Sequence, residues 1–295
     1  MKKILFIINR KAGTDREKRL EGAIRQHLPA SDFEVEITHL AYLGHGADLA
    51  REAVERGVHT VVAVGGDGSI NEIAQGLVGT RTALAILPLG SGNGLARALK
   101  IPLDVSKALQ LIVQNKQLPI DVGYANEHLF LSNAGVGFDA LIADQFRHTK
   151  KRGLWGYAKL VIGGFRRYQP AAYSIGIDDK RLQERAFLLT VANGNQFGYE
   201  FKLAPQANVF DGQLDVCVMP PVGFFSLLPV SIYSLLGRID KTRYMKHFTG
   251  KEIVVKSEAL AYLQVDGDAV ALSTGGEVRF KVRPAALVVI VNDKV

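Results

Sequence analysis

The stretch Val-Val-Ala-Val-Gly-Gly-Asp-Gly-Ser-Ile-Asn-Glu at residues 61–72 decides the fold of the first half of the chain. A β-branched apolar run at 60–64 predicts a buried strand, which ends in a glycine cluster that holds one carboxylate, Asp67. Ser69 and Glu72 have the spacing of a capping box, which predicts the start of a helix. Main-chain N–H groups in such a loop bind phosphate, because glycine allows close approach and the helix dipole favours anions. An acid in the same loop indicates metal handling or proton transfer beside the phosphate.

A second loop, Pro88-Leu89-Gly90-Ser91-Gly92-Asn93-Gly94, also follows an apolar strand and opens a helical pattern. Two such units in series could converge on one polyphosphate. Neither is a Walker A loop, because no Gly-Lys-Ser/Thr follows, and the glycine spacing of the second loop does not match the dinucleotide fingerprint. Each loop taken alone could be a tight turn between a strand and a helix.

The chain divides into two parts with different patterns of predicted secondary structure. The first 122 residues alternate strand and helix patterns, which predicts a doubly wound parallel sheet with helices on both faces. Ligands bind beyond the carboxyl ends of the strands in such sheets, where the glycine-bearing loops fall. After Asp121 short β-type runs dominate and predict a mostly antiparallel β-sandwich, interrupted by helical patterns near 140–168 and 224–236. We therefore predict domains at 1–122 and 123–283, with a tail at 284–295 that could return to the first.

Composition limits the class of protein. A length of 295 residues favours two domains, and a hydrophobic fraction of 47% with 22% charged residues is typical of soluble globular proteins. The single cysteine, Cys217, excludes an intramolecular disulfide and Cys/His zinc frameworks, and it fits a reducing cytoplasm. The apolar run at 4–8 is too short for a signal peptide. The longest uncharged apolar segment, Met219–Gly237, contains prolines that argue against a membrane span.

The net charge of +7 suggests an anionic partner or merely a solvated basic face. Basic residues cluster at 147–152, 166–167 and 238–251. Trp155 and Tyr157 add the aromatic residues typical of membrane interfaces. The apolar segment Pro220–Gly237 could rest on a bilayer or pack as an ordinary core helix. Nucleic acid is not expected as a partner, because no recognition motif accompanies the charge.

Seven motifs occur in a recognisable order between residues 65 and 268. They are GGDGSINE at 65–72, PLGSGN at 88–93, NAGVGFDA at 133–140, NG and AP at 193–194 and 204–205, DGQLD at 211–215 and DGD at 266–268. This set resembles the soluble diacylglycerol kinase-like lipid kinases, the superfamily that includes sphingosine and ceramide kinases. The resemblance implies an NAD kinase-like α/β domain that binds the nucleotide and a β-sandwich domain that binds the lipid. It also implies ATP-dependent phosphorylation of a lipid hydroxyl in a cleft between the two domains.

The resemblance carries roles to individual residues. ATP would be held by Asn9, Gly65, Gly66, Asp67, Gly68, Ser69, Asn71, Gly90, Ser91 and Asn93. Asp268 would take the position of the general base, and Asp67 would work with it through Mg²⁺ and water. Asp139 would bind the lipid head group. A further Mg²⁺ would sit at Asp211, with main-chain oxygens at Asn208 and Gln213.

A purely structural explanation is also open for each of these acidic residues. Asp67 could be a turn residue, Asp139 a helix N-cap, and the pairs 211–212 and 266–267 ordinary hairpin turns. The family's base is usually Glu, so Asp268 is one methylene shorter than expected. This departure suggests, as one alternative, a catalytically silent lipid- or nucleotide-binding protein.

The expected protein is a cytoplasmic lipid kinase that associates peripherally with an anionic membrane surface. A homodimer is left open. A kinase of a soluble substrate such as NAD is the other alternative. Diacylglycerol, a sphingoid base, ceramide and phosphatidylglycerol all remain candidates for the lipid.

Overall fold

The computed structural model describes residues 1–9, 14–147, 154–197, 201–272 and 276–295. The chain forms two compact units, one of Met1–Ile120 with Ala285–Val295 and one of Asp121–Pro284. Three sequence predictions lie outside the described part: the side chains of the basic stretch 147–152, those of Trp155 and Tyr157, and residues 10–13 of a further predicted glycine-bearing loop at 9–13, which follows the first strand.

The first unit is a parallel sheet with helices. Its strands are β1 (Lys2–Ile8), β2 (Phe33–His39), β3 (Thr60–Gly65) and β4 (Ala83–Pro88), in the order β2-β1-β3-β4. Its helices are α1 (Thr14–His27), α2 (His45–Glu55), α3 (Asp67–Leu77), α4 (Gly94–Ala98) and α5 (Val105–Gln114). Helix α1 packs against α5 and α2 against α3. Val289, near the C-terminus, pairs in parallel with Leu84 of β4. The predicted doubly wound α/β fold is confirmed.

The central strands of this sheet are buried on both faces. Every residue of β3 and of β4 is buried. A parallel strand covered on both faces needs an uninterrupted apolar sequence, and β-branched residues such as Val61 and Val62 pack well on a pleated surface. This burial is the physical reason for the apolar run that precedes each glycine loop.

The predicted capping box at Ser69 and Glu72 is wrong. Helix α3 begins earlier, at Asp67, and no side chain caps it. The Ser69 hydroxyl accepts a hydrogen bond from Asn9 Nδ2 at 2.8 Å, and Glu72 Oε1 accepts the Gly46 N–H at 2.7 Å. Both side chains lie inside the helix and bind neighbouring segments, so they are not available to its first N–H groups.

The second unit is a sandwich of two antiparallel sheets. Its strands are β5 (Gln117–Ala125), β6 (His128–Phe130), β7 (Asn133–Gly137), β8 (Ala171–Ile177), β9 (Lys180–Ala186), β10 (Leu188–Ala192), β11 (Leu214–Met219), β12 (Lys246–Gly250), β13 (Glu252–Lys256), β14 (Tyr262–Val265), β15 (Asp268–Ala271) and β16 (Glu277–Ile290). The first residues of β5, up to 120, and the last residues of β16, from 285, belong to the first unit. One sheet has the order β12-β11-β10-β7-β14-β15, and β9, β8, β13 and the first part of β16 form the other. Its helices are α6 (Phe138–Arg147), α7 (Leu154–Phe165) and α8 (Leu227–Leu235). The predicted β-sandwich is confirmed.

Alternating residues of the six-stranded sheet build two separate cores. Leu189 and Val191 of β10 face the other sheet and pack with Tyr173 and Ile253. Leu188 of β10 faces the opposite side, in the core that includes residues of α6 and α8. This alternation follows from the two-residue repeat of a strand.

Two further sequence expectations concern single features. Cys217 is buried in β11, and burial raises the pKa of its thiol. Among the described residues, no helix has both the length and the apolar character that a bilayer span requires.

Candidate active site

The glycine loops after β3 and β4 touch one another at the carboxyl ends of their strands. The N–H groups of Leu89 and Gly90 donate to the Gly65 carbonyl at 2.9 and 3.2 Å. A Cβ atom added to Gly90 would lie 2.5 Å from the Cα of Gly66. The two loops therefore meet main chain to main chain. Only glycine permits this approach, and it leaves backbone groups free of side-chain cover.

Asp67 connects the first loop to the second. Its Oδ1 accepts the N–H of Gly94, the first residue of α4, at 2.7 Å. Asp67 and Gly68 are the first two residues of α3. Asp67 is therefore a residue of the helix rather than of a turn, and the main-chain amide that it accepts belongs to the other loop. The carboxylate lies where the two strand–loop–helix units come together.

Asn9 extends this group from the end of β1. Its main-chain N–H donates to the Val64 carbonyl at 3.1 Å, and its side chain donates to the Ser69 hydroxyl at 2.8 Å. Asn71 is also buried, and its Oδ1 accepts Gln75 Nε2 at 3.0 Å on the same helix. The structure thus brings Asn9 and Ser69 together at the first loop and directs Asn71 toward its own helix.

Asn93 shapes the second loop. It adopts a left-handed conformation with φ of 54°, its Oδ1 accepts the Gly90 N–H at 3.0 Å, and its Nδ2 donates to the Gly90 carbonyl at 2.8 Å. Ser91 is exposed. Sequence reasoning missed Arg97, whose Nε donates to the Gly92 carbonyl at 3.1 Å. Its position three residues after a glycine loop was the only available signal, and it places a positive charge beside that loop.

The predicted base, Asp268, is exposed at the first residue of β15. It follows a two-residue turn formed by Asp266 and Gly267, with φ of 46° and 94°. Positive φ at both positions is typical of a type I′ hairpin turn, and Val265 pairs with Asp268 across it. The hairpin explanation is therefore correct for 266–267, while Asp268 itself belongs to the strand.

Asp266 is a structural residue that sequence reasoning missed. Its carboxylate accepts the N–H groups of Leu131, Ser132 and Asn133 at 2.8, 2.8 and 3.1 Å. Its own N–H donates to the Asn133 carbonyl at 2.9 Å. These bonds tie the turn to the chain before β7 and so fix the start of β15, which carries Asp268.

Asp139 lies in the first turn of α6, after the helix has begun at Phe138, so the N-cap explanation is wrong. Its Oδ1 accepts the Ala140 N–H at 2.8 Å, and its Oδ2 accepts the Thr190 hydroxyl at 3.1 Å. Burial raises the pKa of Asp139 to about 7, although both hydrogen bonds lower it. A Cβ added to Gly135 would lie 2.3 Å from its Oδ2. The carboxyl group is thus confined, partly buried and able to hold a proton near neutrality.

Other groups of the second unit surround Asp139. Helix α6 packs against β14 and β15, so Asp139 and Asp268 belong to contacting elements. The hydroxyls of Tyr168 and Tyr173 would each lie 3.1 Å from a Cβ added to Gly137, and burial raises the pKa of both tyrosines. No sequence motif marks these tyrosines, because helix and strand packing alone brings them here.

The predicted Mg²⁺ position is a turn that leads into β11. Asp211 Oδ1 accepts the Gln213 N–H at 3.0 Å, and the Asp211 N–H donates to the Asn208 carbonyl at 3.4 Å. Residues 201–213, all of them described, contain no strand, so the hairpin explanation of 211–212 is wrong. The structure therefore brings Asn208, Asp211 and Gln213 together in one turn.

The donor type at this turn fits Mg²⁺. Burial raises the pKa of Asp211, and the charges of Asp215 and Asp121 raise it further. A cation would relieve that repulsion, and carboxylate and carbonyl oxygens are the ligands that Mg²⁺ takes. Within the described residues, however, no three His, Cys, Asp or Glu side chains form a metal-binding group. Water would have to complete the coordination.

Two family models match most of the chain. The model described as the diacylglycerol kinase catalytic domain matches residues 3–125. The model described as the YegS C-terminal NAD kinase beta sandwich-like domain matches residues 132–291. The chain belongs to the diacylglycerol kinase-like family. The resemblance inferred from the sequence motifs is thereby confirmed.

Relatives in this diacylglycerol kinase-like family cover three quarters or more of the chain. A Chromohalobacter salexigens protein named "Probable lipid kinase YegS-like" is 38% identical over 231 residues, 76% of this chain and 74% of its own. A Pseudomonas aeruginosa protein of the same name is 31% identical over 296 residues, 97% and 93% of the two chains. The Bacillus subtilis "Diacylglycerol kinase" is 27% identical and covers 91% and 90%. A crystal structure of a diacylglycerol kinase from Bacillus anthracis shares the fold, with a TM-score of 0.77 at 23% identity over 100% and 98% of the chains.

The family assignment separates the candidate residues into two sets. The diacylglycerol kinase catalytic domain match includes both glycine loops, and the YegS C-terminal domain match includes Asp139, Asp211 and Asp268. The roles of individual residues in this diacylglycerol kinase-like protein stay predictions.

Proposed function

We propose that the chain is an ATP-dependent kinase that transfers the γ-phosphate of ATP to a lipid hydroxyl. The observation that carries the proposal is the contact between Gly66 and Gly90, where a Cβ atom would fill the space between the loops. Main-chain N–H groups that no side chain covers, beside the start of a helix, are suited to bind a polyphosphate. Membership of a family whose relatives are named lipid kinases supports a lipid as the acceptor.

In this proposal the first unit binds the donor. Main-chain N–H groups of the loops at 65–69 and 91–93 bind the phosphates, Gly90 provides close approach, and the N-terminus of α3 favours their negative charge. The bond to Gly94 fixes the Asp67 carboxylate beside both loops, and in this proposal that carboxylate would hold Mg²⁺ beside the phosphates. When bound, Mg²⁺ supplies charge neutralisation on the phosphates. Arg97 adds a positive charge near the second loop.

The second unit supplies the acceptor side. Asp268 receives the proton of the lipid hydroxyl as general base, and the anchored turn at Asp266 keeps it in position. Asp139 binds the lipid head group. With a pKa raised to about 7, its carboxyl can donate a hydrogen bond to a hydroxyl or accept one. We place this activity in the cytoplasm, at the membrane surface where the lipid lies.

The test is transfer of labelled γ-phosphate from ATP in the presence of Mg²⁺ to a panel of lipids in mixed micelles. The panel contains diacylglycerol, a sphingoid base, ceramide and phosphatidylglycerol. We expect product with one class, and a loss of about 10²–10⁴-fold in rate for Asp67→Asn and Asp268→Asn. Asp179→Asn is the matched control, because Asp179 is exposed in the turn between β8 and β9. Full activity of both site variants would contradict the proposal.

The same assay separates the alternatives. Phosphorylation of NAD or another soluble acceptor would proceed without lipid. Binding of ATP by calorimetry with no product on any lipid would indicate a silent binding protein. In that case Asp268→Glu, which restores the longer side chain usual in the family, would be expected to produce turnover.

A further inference from the structure

The helix α8 and the turn before it carry an exposed apolar stripe. Phe225 is 91% exposed, Leu228 69%, Ile232 47% and Leu236 63%. Their spacing of three, four and four residues places them on one face of a helix. Val230 and Ser234 are the buried residues of the helix, so α8 attaches to its unit by the opposite face. We call Phe225, Leu228, Ile232 and Leu236 the α8 stripe.

The α8 stripe lies in a broader apolar surface. Phe224, Tyr233 and Leu235 are also exposed, and the rings of Phe224 and Phe225 are 6.0 Å apart between centroids. Scattered exposed apolar residues need no explanation, but a contiguous set of this size on one helix and the turn before it marks an interaction surface.

Positive charges surround this surface. The Arg166 guanidinium lies 5.6 Å from the centroid of the Phe224 ring. Lys202 and Arg238 adjoin α8 through their main chains. The main-chain N–H of Lys202 donates to the Ser234 carbonyl at 3.2 Å, and that of Arg238 donates to the Tyr233 carbonyl at 2.8 Å. The stretch 219–237 contains no acidic residue. Asp240, the next acid along the chain, has a buried carboxylate oxygen.

We propose that the α8 stripe inserts into the surface of an anionic bilayer. The inference rests on the proposed function, because a lipid substrate is found in such a surface. Apolar side chains enter the acyl boundary while Arg166, Lys202 and Arg238 remain at the level of the anionic head groups. A second copy of the chain fits less well, because a two-fold contact would bring the same cations face to face.

Vesicle binding without ATP tests the surface independently of catalysis. Cosedimentation is measured with vesicles of phosphatidylcholine mixed with phosphatidylglycerol and with vesicles of phosphatidylcholine alone. We expect binding to the mixed vesicles that weakens as salt is added. Phe225→Glu with Leu228→Glu should weaken it about 100-fold, because each residue loses apolar burial worth roughly a factor of ten. Val113→Glu on α5, where Val113 is 39% exposed, is the matched control and should bind like the unmodified protein.

Several results would overturn the proposal. They are no binding of the unmodified protein to mixed vesicles, equal binding to both vesicle types, or unchanged binding by the double variant. Light scattering tests the other occupant, since a dimer that the double variant converts to a monomer would assign the α8 stripe to self-association. Phe225 and Leu228 are exposed, so both substitutions are compatible with folding, which circular dichroism checks.

A kinase assay distinguishes failure of this surface from failure of the proposed function. The double variant should keep its phosphorylation rate on a short-chain diacylglycerol that is monomeric in solution. It should lose that rate on diacylglycerol presented in vesicles. Equal loss on both substrates would mean that the α8 stripe acts in catalysis or folding and would overturn the docking role. Vesicle binding by a protein without kinase activity would retain the surface and reject the function.

Discussion

Replacing Gly90 with alanine tests the contact between the two glycine loops. The added Cβ would lie 2.5 Å from the Cα of Gly66 and 2.8 Å from Asn93 Oδ1. Carbon atoms in contact are normally about 3.5–4.0 Å apart, so the loops would have to separate by about 1 Å. The nearest atom belongs to the main chain, and therefore no change of rotamer can relieve the clash.

The expected cost has two parts. Overpacking at a rigid site costs about 1–3 kcal/mol in the free energy of unfolding. Separation of the loops also strains the bonds from the Leu89 and Gly90 N–H groups to the Gly65 carbonyl, and the net loss of one such bond is about 1 kcal/mol. We expect destabilisation by about 2–4 kcal/mol in total. The Kd for ATP should rise by about 10–100-fold, because a displaced N–H loses a hydrogen bond to a charged phosphate.

Urea unfolding and calorimetry with a non-hydrolysable ATP analogue in Mg²⁺ measure the two effects. Gly22→Ala is the matched control, because a Cβ at this position on α1 meets no atom within 4 Å. That variant should gain about 0.5–1 kcal/mol of stability and bind the analogue normally. Gly90→Ala with the stability and affinity of the unmodified protein would refute the argument. A destabilised Gly90→Ala with full affinity would retain the loop contact and reject the phosphate site.

Three other variants make separate predictions. Asp67→Asn keeps an oxygen that can accept the Gly94 N–H, so urea unfolding should be nearly unchanged while steady-state turnover falls by about 10²–10⁴-fold. Asp139 has its pKa raised to about 7 in the folded state, so it binds more protons there than in the unfolded chain between about pH 4 and 7. Stability should therefore decrease with rising pH in that window, by up to about 1.4 kcal/mol per pH unit, and Asp139→Asn should remove this slope in denaturation series. Asp266→Ala leaves the N–H groups of 131–133 without their acceptor. It should cost at least about 1.5–3 kcal/mol in unfolding and lower kcat, with calorimetry showing an unchanged Kd for ATP.

The parallel sheet was predictable because its burial is visible in the sequence, whereas parts of the sandwich were not. Strands β3 and β4 are buried throughout, and each appears as an uninterrupted apolar run. The sequence Asn-Ala-Gly-Val-Gly of β7 has residues that disfavour strands, yet it pairs with β10 on one side and β14 on the other. Gly135 within it leaves needed space, because a Cβ there would lie 2.3 Å from Asp139 Oδ2 and 2.9 Å from the Leu189 carbonyl oxygen. Pairing on both sides therefore outweighed local propensity at β7.

In the candidate site too, features encoded by contiguous residues were predicted, and contacts between residues far apart in the chain were not. The loops at 65–69 and 88–94 were identified because their signals are contiguous, and the contact between Gly66 and Gly90 follows from neighbouring parallel strands. The carboxylate of Asp266 could not be interpreted in this way, since its three partners lie 133–135 residues earlier in the chain. Within one three-residue motif, Asp266 is held by main-chain N–H groups and Asp268 is exposed at the start of a strand. The resemblance gave the role of base to Asp268 and none to Asp266, so the bonds that anchor the turn before β15 could be found only in the folded chain.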